Sequence, residues 1–195
     1  MLLSLPLYCI SIACLLVGCV PENSLSATHT ATTKEYDLGP VTMQIPVTWK
    51  ALDYDRAGLA PTRKNQPYRR HYLFLNTASA DTTLRETITL TVDEQQGVPQ
   101  AGKVSRELAK NLRAFPDQLQ VLTFKDTLLH HGQLALAEAT CRNLAEHVDL
   151  LQMYAFATKQ NVLVAFMGTA KSHIGPANEK NRAVFQQAIQ SITWK

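Results

Sequence analysis

The sequence predicts an α+β domain, an antiparallel β-sheet with helices packed on it, and three observations carry that prediction. Thr87-Ile88-Thr89-Leu90-Thr91-Val92 alternates threonine with apolar residues at the period of two that a half-buried strand requires. Val104, Leu108, Leu112 and Phe115 recur at helical spacing across Lys103 to Ala114, and Pro116 ends the segment. Between Leu119 and Thr169, apolar runs are joined by short turns of polar residues or glycine, which implies antiparallel hairpins. Strands, a helix, a strand meander and a final helix, in that order, belong to the α+β class.

The elements follow in order. Val41-Thr42-Met43-Gln44-Ile45 alternates and stops at Pro46, which suits a first strand leaving through a turn, with Trp49 just beyond. Lys50 to Tyr68 is rich in turn residues and cations, holds Pro61 and Pro67, and reads as a long loop. Tyr72 to Leu75 is the second strand and Thr87 to Val92 the third. After the 103–114 helix come strands at Leu119 to Leu128, Gln133 to Cys141, Val148 to Thr158 and Val162 to Thr169. His130-His131-Gly132 and Lys159-Gln160-Asn161 form two of the turns between them. Pro176 stands near the start of the last helix, a position that suits its fixed φ and missing N–H. That helix turns Val184, Phe185, Ala188, Ile189 and Ile192 inward.

Residues 1–34 are of a different kind. Met1 to Leu16 is apolar and uncharged, and it ends in Leu16-Val17-Gly18-Cys19, after which the chain turns small and polar. An apolar stretch closing in small residues and a cysteine resembles the lipobox of bacterial lipoproteins. In that family the cysteine is diacylated and becomes the first residue of the mature protein. The resemblance implies a signal peptide over 1–19, lipidation at Cys19 and a place in the bacterial cell envelope facing the periplasm. Two acyl chains anchor firmly, each buried methylene contributing about 0.8 kcal/mol. Val20 in place of an aspartate implies the outer membrane. An uncleaved anchor and an ordinary cleaved signal are the competing readings. Residues 20–34, with Ser24 to Lys34 (SLSATHTATTK) at their centre, read as a flexible tether, and 35–195 as one domain.

Composition narrows the function classes. The formal charge of +3 is too mild for a nucleic-acid-binding domain, whose lysines and arginines are more concentrated. Of four cysteines, Cys9 and Cys14 fall in the leader and Cys19 in the anchor, which leaves Cys141 without an internal disulfide partner. Cys141 closes the alternation Ala135, Ala137, Ala139, Cys141 and reads as a packed thiol at a strand end, with a reactive thiol or an intermolecular bridge as the sharper alternative.

A second resemblance rests on both ends of the domain. Val41-Thr42-Met43-Gln44-Ile45-Pro46 followed by Trp49 resembles the opening strand of the PsbP-like fold. Phe185-x-x-Ala188-Ile189-x-Ser191-Ile192 resembles its final helix. Thr48 replaces the glycine usually found before that tryptophan. The DcrB-like bacterial lipoproteins belong to the same superfamily. The resemblance implies a PsbP-like α/β/α sandwich and a non-enzymatic role in binding protein partners, as an accessory, assembly or chaperone-like factor.

The chain carries no Gly-x-Ser-x-Gly elbow, P-loop, dinucleotide turn, His-Glu-x-x-His or Cys-x-x-Cys, so no catalytic residue, metal or cofactor is assigned. His130-His131 reads as a solvated hairpin tip, because neighbouring side chains on a strand point to opposite faces. Glu146-His147-x-Asp149 reads as a polar loop lacking a positioned nucleophile. Trp49, Tyr154, Phe156 and Phe166 read as core before they read as a binding face. The best functional candidate is the basic stretch Arg56, Arg63, Lys64, Arg69 and Arg70, suited to anionic lipid headgroups or an acidic protein partner. A small-ligand or lipid-binding module, with a groove between helix and sheet, is the alternative function. An enclosed apolar pocket would favour that module, and a flat or grooved apolar patch beside the basic stretch a protein partner.

Overall fold

The computed structural model describes residues 32–52, 68–79, 84–114, 119–129, 133–172 and 176–195. Strands β1 (Thr33–Asp37) and β2 (Val41–Pro46) form a hairpin, and β3 (Trp49–Leu52) follows at once. Next come β4 (Arg69–Asn76), β5 (Thr87–Glu94) and helix α1 (Ala101–Arg113). The meander β6 (Leu119–Leu129), β7 (Leu134–Asn143), β8 (Val148–Lys159) and β9 (Val162–Lys171) leads to helix α2 (Pro176–Gln190) and the short β10 (Thr193–Trp194). A seven-stranded sheet runs β3-β4-β5-β9-β8-β7-β6, and a three-stranded one runs β1-β2-β10. Every pairing in them is antiparallel.

Alternation along the strands sorts the core into two clusters on opposite faces of the large sheet. One face carries Phe74, Ile88, Leu90, Val92, Met153, Ala155, Val164 and Phe166, and packs against α2 and the small sheet. The other carries Ala135, Ala137, Ala139, Cys141, Tyr154 and Phe156, and packs against Val104, Leu108 and Leu112 of α1. The antiparallel sheet expected from the element order and the α/β/α layering that the resemblance implies are therefore both present. Trp49, Tyr154, Phe156 and Phe166 are all buried, as core residues should be. Cys141 lies fully buried among the alanines under α1, where desolvation raises its thiol pKa. The packed-thiol reading holds for it.

Four boundaries differ from the sequence expectation. Thr33 and Lys34, assigned to the tether, are strand residues of β1, because Lys34 pairs with Ile45 across the hairpin. Lys50 to Leu52, read as loop, form β3 against β4. Arg69 to His71, also read as loop, begin β4, with Arg69 opposite Asp93 and Arg70 opposite Val92. The two-residue β10 adds to β2 through Trp194 and Val41. Each missed segment is short and polar, with too little apolar alternation to announce itself.

The two signature segments meet in space. Ser191, just past α2, accepts the Gln44 N–H of β2 at 2.8 Å and donates to the Ala188 carbonyl at 2.7 Å. Phe185 is fully buried and meets Trp49 edge-on at 6.3 Å. Beneath it lies Gly168 of β9, where an added Cβ would stand 2.6 Å from the Phe185 ring. The helix can seat this deeply only over a residue without a side chain.

Two stability effects follow. Gly168→Ala should destabilise the domain by about 1–3 kcal/mol, the usual cost of overpacking, and Phe185→Leu in the same chain should restore part of that in urea melts. Ser105 of α1 is fully buried and its hydroxyl has no hydrogen-bond partner. Ser105→Ala should therefore raise stability by about 1 kcal/mol, visible as a higher urea midpoint at unchanged slope.

Candidate functional site

The candidate basic stretch divides on inspection. Arg56, Arg63 and Lys64 lie outside the described residues. Arg69 and Arg70 lie within them and both have acidic partners. The Arg69 guanidinium donates to Asp93 Oδ2 from Nη2 at 2.7 Å and from Nε at 3.1 Å. The Asp93 side chain is only 3% exposed, so this contact neutralises a buried carboxylate. Arg70 pairs with Glu94 at 3.0 Å, and its guanidinium packs over Gly39. These two cations are therefore engaged in holding β4 to β5 and to the turn after β1.

The other polar clusters are likewise taken up in structure. Asp149 accepts from Arg142 at 2.7 and 3.1 Å, and these hydrogen bonds hold its carboxyl below the usual range and raise the arginine. In the Glu146-His147-x-Asp149 turn the acid thus serves its neighbour on β7, and His147 takes a left-handed φ of 53°. Arg182 of α2 grips Glu138 of β7, with Nη2 to Oε1 at 2.9 Å. His130 and His131 lie outside the described residues. Among the described residues, no three His, Cys, Asp or Glu side chains gather as a metal site would need. Nor is any described helix long and apolar enough to cross a membrane.

What the fold builds instead is a groove at the end of α1. About 660 Å³ of open space is bounded by Leu112 and Arg113 of the helix, Leu119 to Phe124 of β6, and Leu144. It opens to solvent and differs in kind from an enclosed ligand cavity of comparable volume. Its lining is mixed: Leu119, Val121 and Phe124 continue the cluster under α1, and Arg113, Gln120 and Thr123 stand among them. At Val121/Thr123 the β6–β7 register shifts, so Leu122 has no opposite residue and stands 42% exposed. Leu128, further along β6, is 47% exposed. β6 closes one edge of the large sheet and β3 the other, about 29 Å away at about 4.8 Å per strand, so the groove does not lie beside Arg69 and Arg70 of β4.

The solvent face of α1, opposite the residues that pack on the sheet, carries a row of cations that the sequence reading passed over. Lys103, Arg106, Lys110 and Arg113 are all exposed and fall at i, i+3, i+7 and i+10, one stripe of α1. Arg113 itself lines the groove. Only Glu107 interrupts the stripe, paired with Lys110 at 3.1 Å. The spacing was legible in the sequence, but the apolar face of the same helix drew the reading to packing.

No protein-family model matches the chain, and no curated protein matches it in sequence. Likeness appears among solved structures. Cyanobacterial PsbP (CyanoP) from Synechocystis sp. PCC 6803 aligns with a TM-score of 0.55 at 12% identity, covering 89% of this chain and 98% of CyanoP. The Ran-binding protein Mog1p of Saccharomyces cerevisiae aligns with a TM-score of 0.56 at 10% identity, covering 85% of this chain and 96% of Mog1p. At such identity the likeness is one of fold. The chain has the PsbP/Mog1 fold, as its Ile45-Pro46 strand and its Phe185-to-Ser191 helix end lead one to expect.

Proposed function

We propose that this protein is a non-enzymatic envelope lipoprotein, anchored through Cys19, that works as an accessory or assembly factor by binding another protein. The observation that carries the binding role is the exposure of Leu122 and Leu128 on β6, beside an open groove of mixed lining. Exposed apolar side chains beside an open groove suit a macromolecular partner. The same fold serves protein binding in Mog1p, a Ran-binding protein. The anchor rests on Leu16-Val17-Gly18-Cys19 and the tether that follows. Outer-membrane residence rests on Val20 alone. Arg56, Arg63 and Lys64 are the cations proposed to meet lipid headgroups or an acidic partner.

Expressed in a bacterial envelope, the mature chain should begin at Cys19 and carry the mass of its acyl chains. Globomycin or Cys19→Ser should abolish that form, and a mature N-terminus elsewhere sinks the anchor. Crosslinking of intact envelope should yield a discrete adduct with another protein. Recovery of a retained small molecule or lipid in native mass spectra, with no protein adduct, would favour the ligand-binding alternative. Neutralising Arg56, Arg63 and Lys64 together should cut adduct yield or binding to anionic vesicles severalfold without lowering the melting temperature, and unchanged binding retires the loop. Arg69 and Arg70 are left intact in this test. Removing Arg69 would strand the buried Asp93 carboxylate and confuse binding with folding.

A further inference from the structure

We infer that the solvent face of α1 docks on a lipid bilayer, with its row of cations set against anionic headgroups. This builds on the membrane address proposed above and adds the side of the domain that meets the bilayer. At about 100° per residue, Lys103, Arg106, Lys110 and Arg113 fall within an arc of about 80° and rise about 15 Å along the helix. All four are exposed, while Val104, Leu108 and Leu112 on the other side of the helix pack on the sheet.

The helix holds part of this charge against its own electrostatic preference. A helix macrodipole favours acids in the first turn and cations in the last. α1 has no acid in its first turn, where Lys103 stands, and Gln100 at the N-cap makes no side-chain capping bond. Lys110 and Arg113 in the last turn suit the dipole, but Lys103 opposes it and Arg106 lies beyond either terminal turn. Among the described residues, no acid forms an ion pair with Lys103, Arg106 or Arg113, whereas Arg69, Arg70, Arg142 and Arg182 each have one. Charge that gives nothing back to the fold marks a surface kept for binding.

The make-up of the face selects a headgroup layer over a protein. Protein interfaces centre on apolar and aromatic anchors and are depleted in lysine. From Lys103 to Ala114 the exposed residues are the four cations, Glu107, Asn111 and Ala114, with no large apolar side chain among them. Cations on long stems meet a plane of anionic headgroups without such anchors, each strengthening attachment about fivefold. Glu107, paired with Lys110 at 3.1 Å, offsets one of the four. Asp126, an exposed acid of β6, stands on the sheet layer that α1 packs on and not on this face.

The test replaces Ala114, the exposed C-cap of α1, or Glu35, exposed on β1 of the small sheet, by the photocrosslinker benzoylphenylalanine. The full chain is reconstituted in vesicles of phosphatidylglycerol and phosphatidylcholine, illuminated, and read for lipid adducts by mass. Adducts at Ala114 are expected at least tenfold above those at Glu35. They should fall to the Glu35 level in pure phosphatidylcholine and at about 1 M salt, where the screening length is about 3 Å. Lys103→Gln with Arg106→Gln should cut the Ala114 adducts at least tenfold without lowering the melting temperature, since neither charge serves the helix. Equal yields at the two positions overturn the inference, as do yields indifferent to salt or to those substitutions. A lowered melting temperature shows that the row serves the fold and overturns it too. In intact envelope, a protein adduct at Ala114 in place of a lipid one identifies an acidic protein partner and has the same consequence. If lipid adducts fail while the mature chain still begins at acylated Cys19, the docking face alone falls; if the acylated form is also absent, the membrane address falls with it.

Discussion

The seat of Phe185 over Gly168 is the contact on which the rest of the domain depends. A ring 2.6 Å from where a Cβ would stand lets α2 lie directly on β9, and everything on that face follows from the closeness. Trp49 meets the same ring, which orients the start of β3, and Ser191 reaches Gln44, which locks β2 beside the helix end. The small sheet is thereby tied to α2 by a hydrogen bond and to the large sheet by burial. Loosening the helix by the width of one methyl group exposes apolar surface along several strands at once, because close-packed interiors transmit such shifts.

The other face solves the same problem with smaller parts. Ala101, Gly102 and Ser105 of α1 are buried against a sheet surface built from Ala135, Ala137 and Ala139. Close approach here comes from small residues on both sides, while Tyr154 and Phe156 fill the flank. Ser105 and Asp93 Oδ1 show that this half is not fully satisfied, since both are buried polar atoms without partners. α1 packs on β6, β7 and β8, and the groove lies beside the end of the helix. Function, on this reading, occupies the place where packing stops.

Electrostatics separates structural cations from available ones. Arg69, Arg142 and Arg182 each hold a carboxylate at 2.7–2.9 Å and serve the fold. The α1 stripe has one acid among its four cations and retains net positive charge at the surface. Exposed ion pairs contribute little to stability, so charge on α1 is free to serve steering and specificity. The distinction lies in what each cation joins: Arg69 neutralises a carboxylate 3% exposed and Arg142 ties β7 to β8, whereas Lys110 and Glu107 pair within one helix, both in water.

The sequence by itself determined the class of the domain, its strand meander and both helices. Alternation from Thr87 and helical spacing from Val104 are local properties that burial on one face demands. It also marked Trp49, Phe185 and Ser191 as parts of a known fold, and set Cys141 apart as a lone thiol. It did not disclose β1, β3 or β10, because short polar strands are stabilised by their neighbours and leave little pattern of their own. Nor did it separate the arginines. Arg69 and Lys64 look alike in a basic run, yet only the pairing of β4 with β5 places Arg69 over Asp93. Nor did the sequence show the groove beside β6, whose lining runs from Leu112 to Phe124 with Leu144 added, because the bulge between Val121 and Thr123 exists only in the pairing of β6 with β7.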